Sequence, residues 1–192
     1  MAKSKKKYTY PYQRLIDISV AEDIIDFDPI TQNMFWKHRA SEYFKDPNRS
    51  FSWNAKNEGK QCFNYLDVNG YLRGVIFKHK IPKHRLIWLF SYGRWPNGFI
   101  DHINGIKTDN RLVNLREVTS KENSKNRAIS KSNSTGHMNV YNAKRQGAYR
   151  VAFCIDGKYK SLGVYDNIQD AVDVRNKNYI SMGFNENHGR CK

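Results

Sequence analysis

The chain has 192 residues, with 33 Lys and Arg against 18 Asp and Glu, a formal net charge of +15, and 39% hydrophobic and 14% aromatic residues. Its uninterrupted apolar runs, such as Leu86 to Phe90, fall far short of the roughly 20 residues that cross a bilayer, which excludes a membrane-spanning helix. The basic start is followed by no apolar stretch of the secretory-signal kind, so a cytoplasmic protein with no membrane partner is expected. Cys62, Cys154 and Cys191 are odd in number, widely spaced and lack a C-x-x-C, supporting neither a disulfide framework nor a zinc ribbon.

The charge is uneven. Residues 1–14 carry five basic and no acidic groups and residues 15–30 carry five acidic and no basic ones, so the two blocks cancel. Residues 31–127 hold 18 basic and 8 acidic groups, and residues 128–192 hold 10 and 5. The positive field therefore belongs to the folded parts and points to a polyanion, because neutralising phosphates releases condensed counterions.

In chain order, IIDFDPITQNMFWK (24–37) reads as a hairpin, with Asp28-Pro29 and Gln32-Asn33 as turn residues. Residues 38–62 are polar with scattered aromatics and read as irregular. Asp67-Val68-Asn69-Gly70 is a turn before a strand from Tyr71 to Lys78; after Pro82, KHRLIWLFSY reads as a short helix closed by Gly93. Phe99–Ile103 and Leu115–Val118 read as paired strands joined by a long polar connection that opens on Asn104-Gly105. Thr119 and Glu122 make a capping box for a helix from about 120 to 128.

Residues 129–136 have linker composition. Beyond them, strands are expected at Met138–Lys144, at Tyr149–Ile155 and, after an Asp156-Gly157 turn, at Lys158–Tyr165. Ile168, Ala171, Val172, Tyr179 and Met182 mark one face of a helix ending at Gly183. Three antiparallel strands with a helix across one face leave the other face open.

The densest polar stretch is FIDHINGIKTDNRLVNLREVTSKENSKNR, Phe99 to Arg127. With HRLIW at 84–88, Trp-Pro ahead of Asp-His, DNR at 109–111, NLR at 114–116 and KEN at 121–123, it resembles the HNH endonucleases of phages and introns, in which Asp-His replaces the first His pair and Asn the last His. The likeness covers about residues 24–127. It implies a ββα-metal nuclease core, with His102 as general base, Asn114 as the middle letter bonding the loop backbone, and Asp101 and Asn123 as metal ligands. Arg116, Asn126 and Arg127 are supporting candidates. The residue chemistry agrees: His102 has the intrinsic pKa for a base near neutrality, and a carboxylate with an amide oxygen suits Mg²⁺ or Mn²⁺ better than Zn²⁺. Neighbours on a flat strand point to opposite faces, so Asp101 and His102 share a site only if the strand ends, twists or bulges there.

Residues 134–183 resemble the DNA-binding domain of plant APETALA2 and ethylene-response factors, through STG at 134–136, Asn139-Val140-Tyr141, YRVAF at 149–153, Gly157-Lys158 and LGVY at 162–165. By position, the resemblance puts Tyr141, Ala143, Arg150, Ala152, Cys154, Tyr159 and Ser161 on the open sheet face, and Lys144, Arg145, Lys158 and Lys160 against phosphates. The expected organisation is a basic tail and lead-in (1–23), a nuclease domain with a β-rich N-terminal extension (24–128), a linker (129–136), a DNA-binding domain (137–183) and a C-terminal tail (184–192), in an α+β fold. The expected function is that of a homing-type, metal-dependent endonuclease cutting double-stranded DNA to 5′-phosphate and 3′-hydroxyl ends without a small-molecule cofactor. One site per chain leaves a nicking monomer and a homodimer as alternatives. A DNA-binding regulator on a retained nuclease scaffold, and an RNA-binding protein, are the competing functions.

Overall fold

The structure is a computed structural model, in which residues 10–124, 129–130, 132–155 and 157–184 are described. The fold is α+β, with small antiparallel sheets and short helices, and among the described residues no helix is long and apolar enough to cross a membrane. Two compact units divide the chain: one runs to His102 and includes Ile106–Val118, the other takes Ile103–Gly105 and the chain after Val118. The division therefore falls after Val118, ten residues ahead of the boundary at 128 that composition suggests.

The first unit begins with a 3-10 helix, Pro11–Arg14, and α1 (Ile18–Ile24). Asp17 caps α1, its carboxylate accepting from the Val20 N–H at 2.9 Å. Ile16, Ala21 and Ile24 are fully buried in the core of this unit, so the entry segment packs into that core. The predicted hairpin forms from β1 (Ile25–Phe27) and β2 (Met34–Trp36), and the Asp28 carboxylate accepts from the Ile30 and Thr31 N–H groups to close its turn.

Residues 38–62 are more regular than their composition suggests. They contain α2 (Arg49–Asn57) and β3 (Gln61–Cys62), which pairs with β2. The only buried residue of α2 is Asn54, so the helix carries no apolar stripe by which it could be read. Asn54 instead brackets the backbone of Arg39, accepting from its N–H and donating to its carbonyl, both at 2.9 Å. The Arg39 guanidinium lies over the rings of Trp53, at 3.9 Å, and Trp36, at 5.0 Å. The scattered aromatics of this stretch thus wall in a buried cation.

The next sheet has the order β4 (Tyr65–Leu66), β5 (Leu72–Ile76), β6 (His79–Pro82). The single strand expected from Tyr71 to Lys78 ends early, because the chain reverses at Phe77 and Lys78, with φ of 47° and 68°, and returns as β6. Helix α3 (Lys83–Tyr92) stops at Gly93 as expected, whose left-handed conformation lets its N–H donate to the Leu89 carbonyl at 2.8 Å. Residues 83–89 are all buried, so α3 is the central helix of the unit.

Helix α3 also anchors the segment that follows it. Arg85 donates to the carbonyls of Gly98 (3.0 Å) and Pro96 (3.2 Å), and Trp95 Nε1 donates to the Ile16 carbonyl at 2.6 Å. These bonds fix the approach to β7 (Phe99–His102), which pairs antiparallel with β8 (Leu115–Val118). A Cβ on Gly98 would lie 2.5 Å from the Val118 carbonyl oxygen, so only glycine fits there.

In the second unit the capping box is formed as expected before α4 (Ser120–Ser124): Glu122 accepts from the Thr119 N–H at 2.7 Å and its own N–H donates to Thr119 Oγ1 at 3.3 Å. The rest of the expected helix, 125–128, and Asp156 of the expected turn lie outside the described residues. Thr135, within the supposed linker, donates through Oγ1 to the Val140 carbonyl at 2.8 Å, so this end of the linker is built into the domain. Strands β9 (Val140–Asn142), β10 (Tyr149–Ile155) and β11 (Lys158–Tyr165) form a sheet with β10 in the middle. Helix α5 (Ile168–Tyr179) supplies Ala171, Val172 and Tyr179 to a core with Val140, Val151 and Phe153.

Candidate active site

Asp101 and His102 close β7 and are only 7% and 3% exposed. Asp101 stands opposite Arg116 in the β7–β8 register, and Arg116 donates to Asp101 Oδ2 from both Nε (3.0 Å) and a terminal nitrogen (2.8 Å). His102 is the last residue of its strand, and its ring meets a different set of partners. The His84 ring stands edge-on to it at 5.2 Å and 87°, and Tyr71 lies 5.8 Å away. The adjacent residues thus keep separate neighbours, as strand alternation requires, while remaining within electrostatic reach of each other.

The loop between the strands completes the surroundings of His102. Asn110, 3% exposed, places its Oδ1 3.0 Å from His102 Nε2, and its Nδ2 donates to the Thr108 carbonyl at 3.3 Å. Asn114 Nδ2 donates to the Asp109 carbonyl at 2.7 Å, and the Asp109 carboxylate accepts from Arg111 at 2.8 and 2.7 Å. Asn114 therefore acts on the loop backbone next to Asn110. On the opposite side, Lys107 Nζ donates to the Asn69 carbonyl at 2.6 Å and lies 4.7 Å from the Tyr71 ring centroid, fastening the β4–β5 turn to the same loop.

Burial pushes the His102 pKa below its ordinary value of 6.5, against the opposing pull of the Asn110 hydrogen bond and the Asp101 and Asp109 carboxylates. His84 is pushed down to about 3, first by burial and then by the neighbouring His102 and Arg85. Both rings are thereby held neutral at physiological pH. For His102 that is the form able to take a proton.

The first unit thus brings together Asp101, His102, Asn114 and Arg116 from among the residues singled out in the sequence. It adds Asn110, Tyr71, His84 and Lys107, whose part around His102 the sequence reading does not assign. Asn110 and His84 stand inside the DNR and HRLIW motifs, but only the folded loop and helix bring them to the ring. Arg116, expected to reach phosphate, is engaged with Asp101. Asn123 belongs to the other unit, where it is half-buried on α4 and its N–H donates to the Thr119 carbonyl at 2.9 Å. Asn126 and Arg127 lie outside the described residues.

Among the described residues no group of three or more His, Cys, Asp or Glu comes together that could hold a metal ion. Of the residues expected to hold a cation, the first unit contains Asp101. A carboxylate can serve several partners at once, so the two Arg116 bonds do not use up its capacity. Its hard oxygens fit Mg²⁺ or Mn²⁺, with amide, phosphate or water oxygens as the other ligands.

In the second unit, the residues expected to touch DNA divide between two faces. Directly opposed residues of an antiparallel pair share a face. Arg150 opposes Tyr141 and Val164, and Cys154 opposes Tyr159, on the side away from α5. Tyr159 is 72% exposed there. Lys158 and Lys160 oppose Ile155 and Phe153, which belong to the helix-covered side. They do not join Tyr141, Arg150 and Tyr159. Ala152, expected to be exposed, is 1% exposed; a bulge between Val151 and Ala152 shifts the register to β11 at that point. Lys144 is exposed, and Arg145 is ion-paired with Asp166.

A strand, a tethered loop carrying Asn114 and a second strand around a buried Asp-His pair define the class of an HNH endonuclease domain, and the HNH endonuclease family matches residues 82–125. The chain is also 35% identical over 93 residues to Protein 3.8 of Escherichia phage T7, a match that covers 47% of this chain and 77% of that protein, and it belongs to the family of that protein. No solved structure matches the chain.

Proposed function

We propose that this protein is a metal-dependent DNA endonuclease that hydrolyses phosphodiester bonds of double-stranded DNA. The observation that carries the reading is the buried His102 ring, held neutral and bonded to Asn110 within a loop that Asn114 ties down, all inside the segment that matches the HNH endonuclease family. In this reading His102 takes the proton of a water molecule as the water oxygen attacks phosphorus. The bond from phosphorus to the 3′-oxygen breaks, the leaving oxygen is protonated, and 5′-phosphate and 3′-hydroxyl ends result. A bound divalent cation would neutralise charge on the phosphoryl and leaving oxygens, with Asp101 as its ligand in the first unit. Asn114 keeps the loop in place, and Asn126 and Arg127 stand near in sequence as supporting groups.

The second unit, residues 137–183, holds the target duplex through its open sheet face. It resembles the APETALA2-type domain in its motifs, and the observed order of three antiparallel strands with one helix supports that reading. The relative from a phage supports action in the cytoplasm of a bacterial host, and a homing-type role is what the resemblance implies. Purified protein with Mg²⁺ or Mn²⁺ is expected to convert supercoiled plasmid to nicked or linear product, and His102→Ala to lose at least about 100-fold of that rate, the usual contribution of a general base. Supercoiled DNA left intact under every divalent ion, or cut equally fast by the variant, would refute the proposal.

The engagement of both Arg116 N–H groups with Asp101 Oδ2 favours a second reading, a non-catalytic DNA-binding regulator in which arginine neutralises the carboxylate. Salt-sensitive DNA binding with no cleavage would support it.

A further inference from the structure

We propose that Asn110 is a positioning residue that fixes which nitrogen of His102 accepts the proton, by holding the neutral ring in its Nε2–H form. The inference rests on the endonuclease reading for its role in the reaction, but its geometric content stands alone. Asn110 Oδ1 lies 3.0 Å from His102 Nε2. The orientation of the amide is determined by its other end, where Nδ2 donates to the Thr108 carbonyl at 3.3 Å; with the amide reversed, an oxygen would face an oxygen. An amide oxygen only accepts, so Nε2 carries the hydrogen and the lone pair of the neutral ring is on Nδ1.

Both partners are 3% exposed, so water is a poor substitute for either. The support of Asn110 is itself anchored: Asn114 donates to the Asp109 carbonyl one residue earlier, and Arg111 bonds the Asp109 carboxylate one residue later. The rings of His84 and Tyr71 stand against His102 on other sides and restrict its rotation. Deleting the acceptor removes the bond that holds the hydrogen on Nε2.

The test uses the full chain with Mg²⁺, labelled with ¹⁵N-histidine. Long-range ¹H–¹⁵N correlation reads the His102 tautomer, assigned by the signals missing from His102→Gln, and single-turnover plasmid cleavage and DNA affinity are measured on the same samples. The wild type is expected to show the Nε2–H form. Asn110→Leu is expected to lose that single form and to cut about 10- to 100-fold more slowly with DNA affinity changed less than about twofold, as for loss of a group that orients a base. Asn110→Asp keeps an acceptor and is expected to keep the Nε2–H form and recover most of the rate. An Nδ1–H ring in the wild type, or an Asn110→Leu protein with unchanged tautomer and rate, overturns the proposal. If Asn110→Leu fails to fold, the wild-type and Asn110→Asp spectra decide it. A wild type that cuts no DNA overturns the endonuclease reading, while the spectra still decide the tautomer.

Discussion

His84 shows how much of this active site depends on a residue that does no chemistry in the proposed reaction. It sits in the first turn of α3, fully enclosed, with its Nδ1 lacking a hydrogen-bond partner among the described residues and its ring edge-on to His102. A buried base whose pKa falls from 6.5 to about 3 on folding is neutral in the native state, whereas the unfolded chain takes up a proton as soon as the pH drops through 6.5. The stability it allows is fully present above pH 6.5 and is lost progressively as the pH falls toward 3, at up to about 1.4 kcal/mol per pH unit for one proton. His84→Phe keeps a ring against His102 and Tyr71 and removes the proton uptake. Urea denaturation between pH 7 and pH 4 should therefore show a shallower loss of stability in the variant than in the wild type. The slope that remains belongs in part to His102, which is shifted in the same direction. Equal slopes would mean that His84 is not held neutral.

At the scale of elements, the close approach of β7 to β8 is what aligns Asp101 with Arg116 and ends the strand at His102. Gly98 permits it, with the Val118 carbonyl where a Cβ would go, its own N–H donating to Glu117 Oε1 at 2.7 Å and its carbonyl held by Arg85. Gly98→Ala should cost about 1–3 kcal/mol, the usual penalty of forcing an atom into a packed site, and should reduce cleavage by displacing the start of β7. Thermal denaturation and plasmid nicking check the two parts, and a variant as stable and active as wild type would show that the strands can separate at no cost. Elements also differ in how legible they were. Helix α3 was readable because Leu86, Ile87 and Leu89 precede a glycine stop. Helix α2 was not, because its one buried side chain is Asn54, an amide that serves the backbone of Arg39 instead of an apolar stripe. Strand β6 was hidden because the reversal before it uses Phe77 and Lys78, residues that carry no turn signal.

Across the whole molecule, the net charge of +15 reads as affinity for a polyanion, but the structure distributes it unequally between faces. In the second unit the open sheet face carries Arg150 with Tyr141 and Tyr159, whereas Lys158 and Lys160 belong to the helix side. If the open face lies against DNA, Arg150→Ala should weaken binding and lower the slope of log affinity against log salt by about 0.9, one phosphate contact, while Lys160→Ala should leave the slope unchanged. Fluorescence anisotropy over a salt series separates the two. The opposite pattern would place the duplex on the other side of the sheet.

The amino-acid sequence by itself determined the class of this protein. The order Asp101-His102, Asn114, Asn123, spaced along a strand, a loop, a strand and a capped helix, is local information, because hydrogen-bonding types and turn residues are specified a few positions at a time. Tertiary structure alone decided what surrounds the base. Asn110 lies eight residues from His102 and His84 eighteen, and no periodicity relates them; they meet because Asn114 folds the loop back on itself and because Arg85 ties α3 to the segment entering β7. It likewise decided that Ala152 is buried instead of standing exposed with Arg150, at the bulge between Val151 and Ala152 in the pairing with β11. Register between strands is a long-range property, and a sequence read along its length does not contain it until the strands have met.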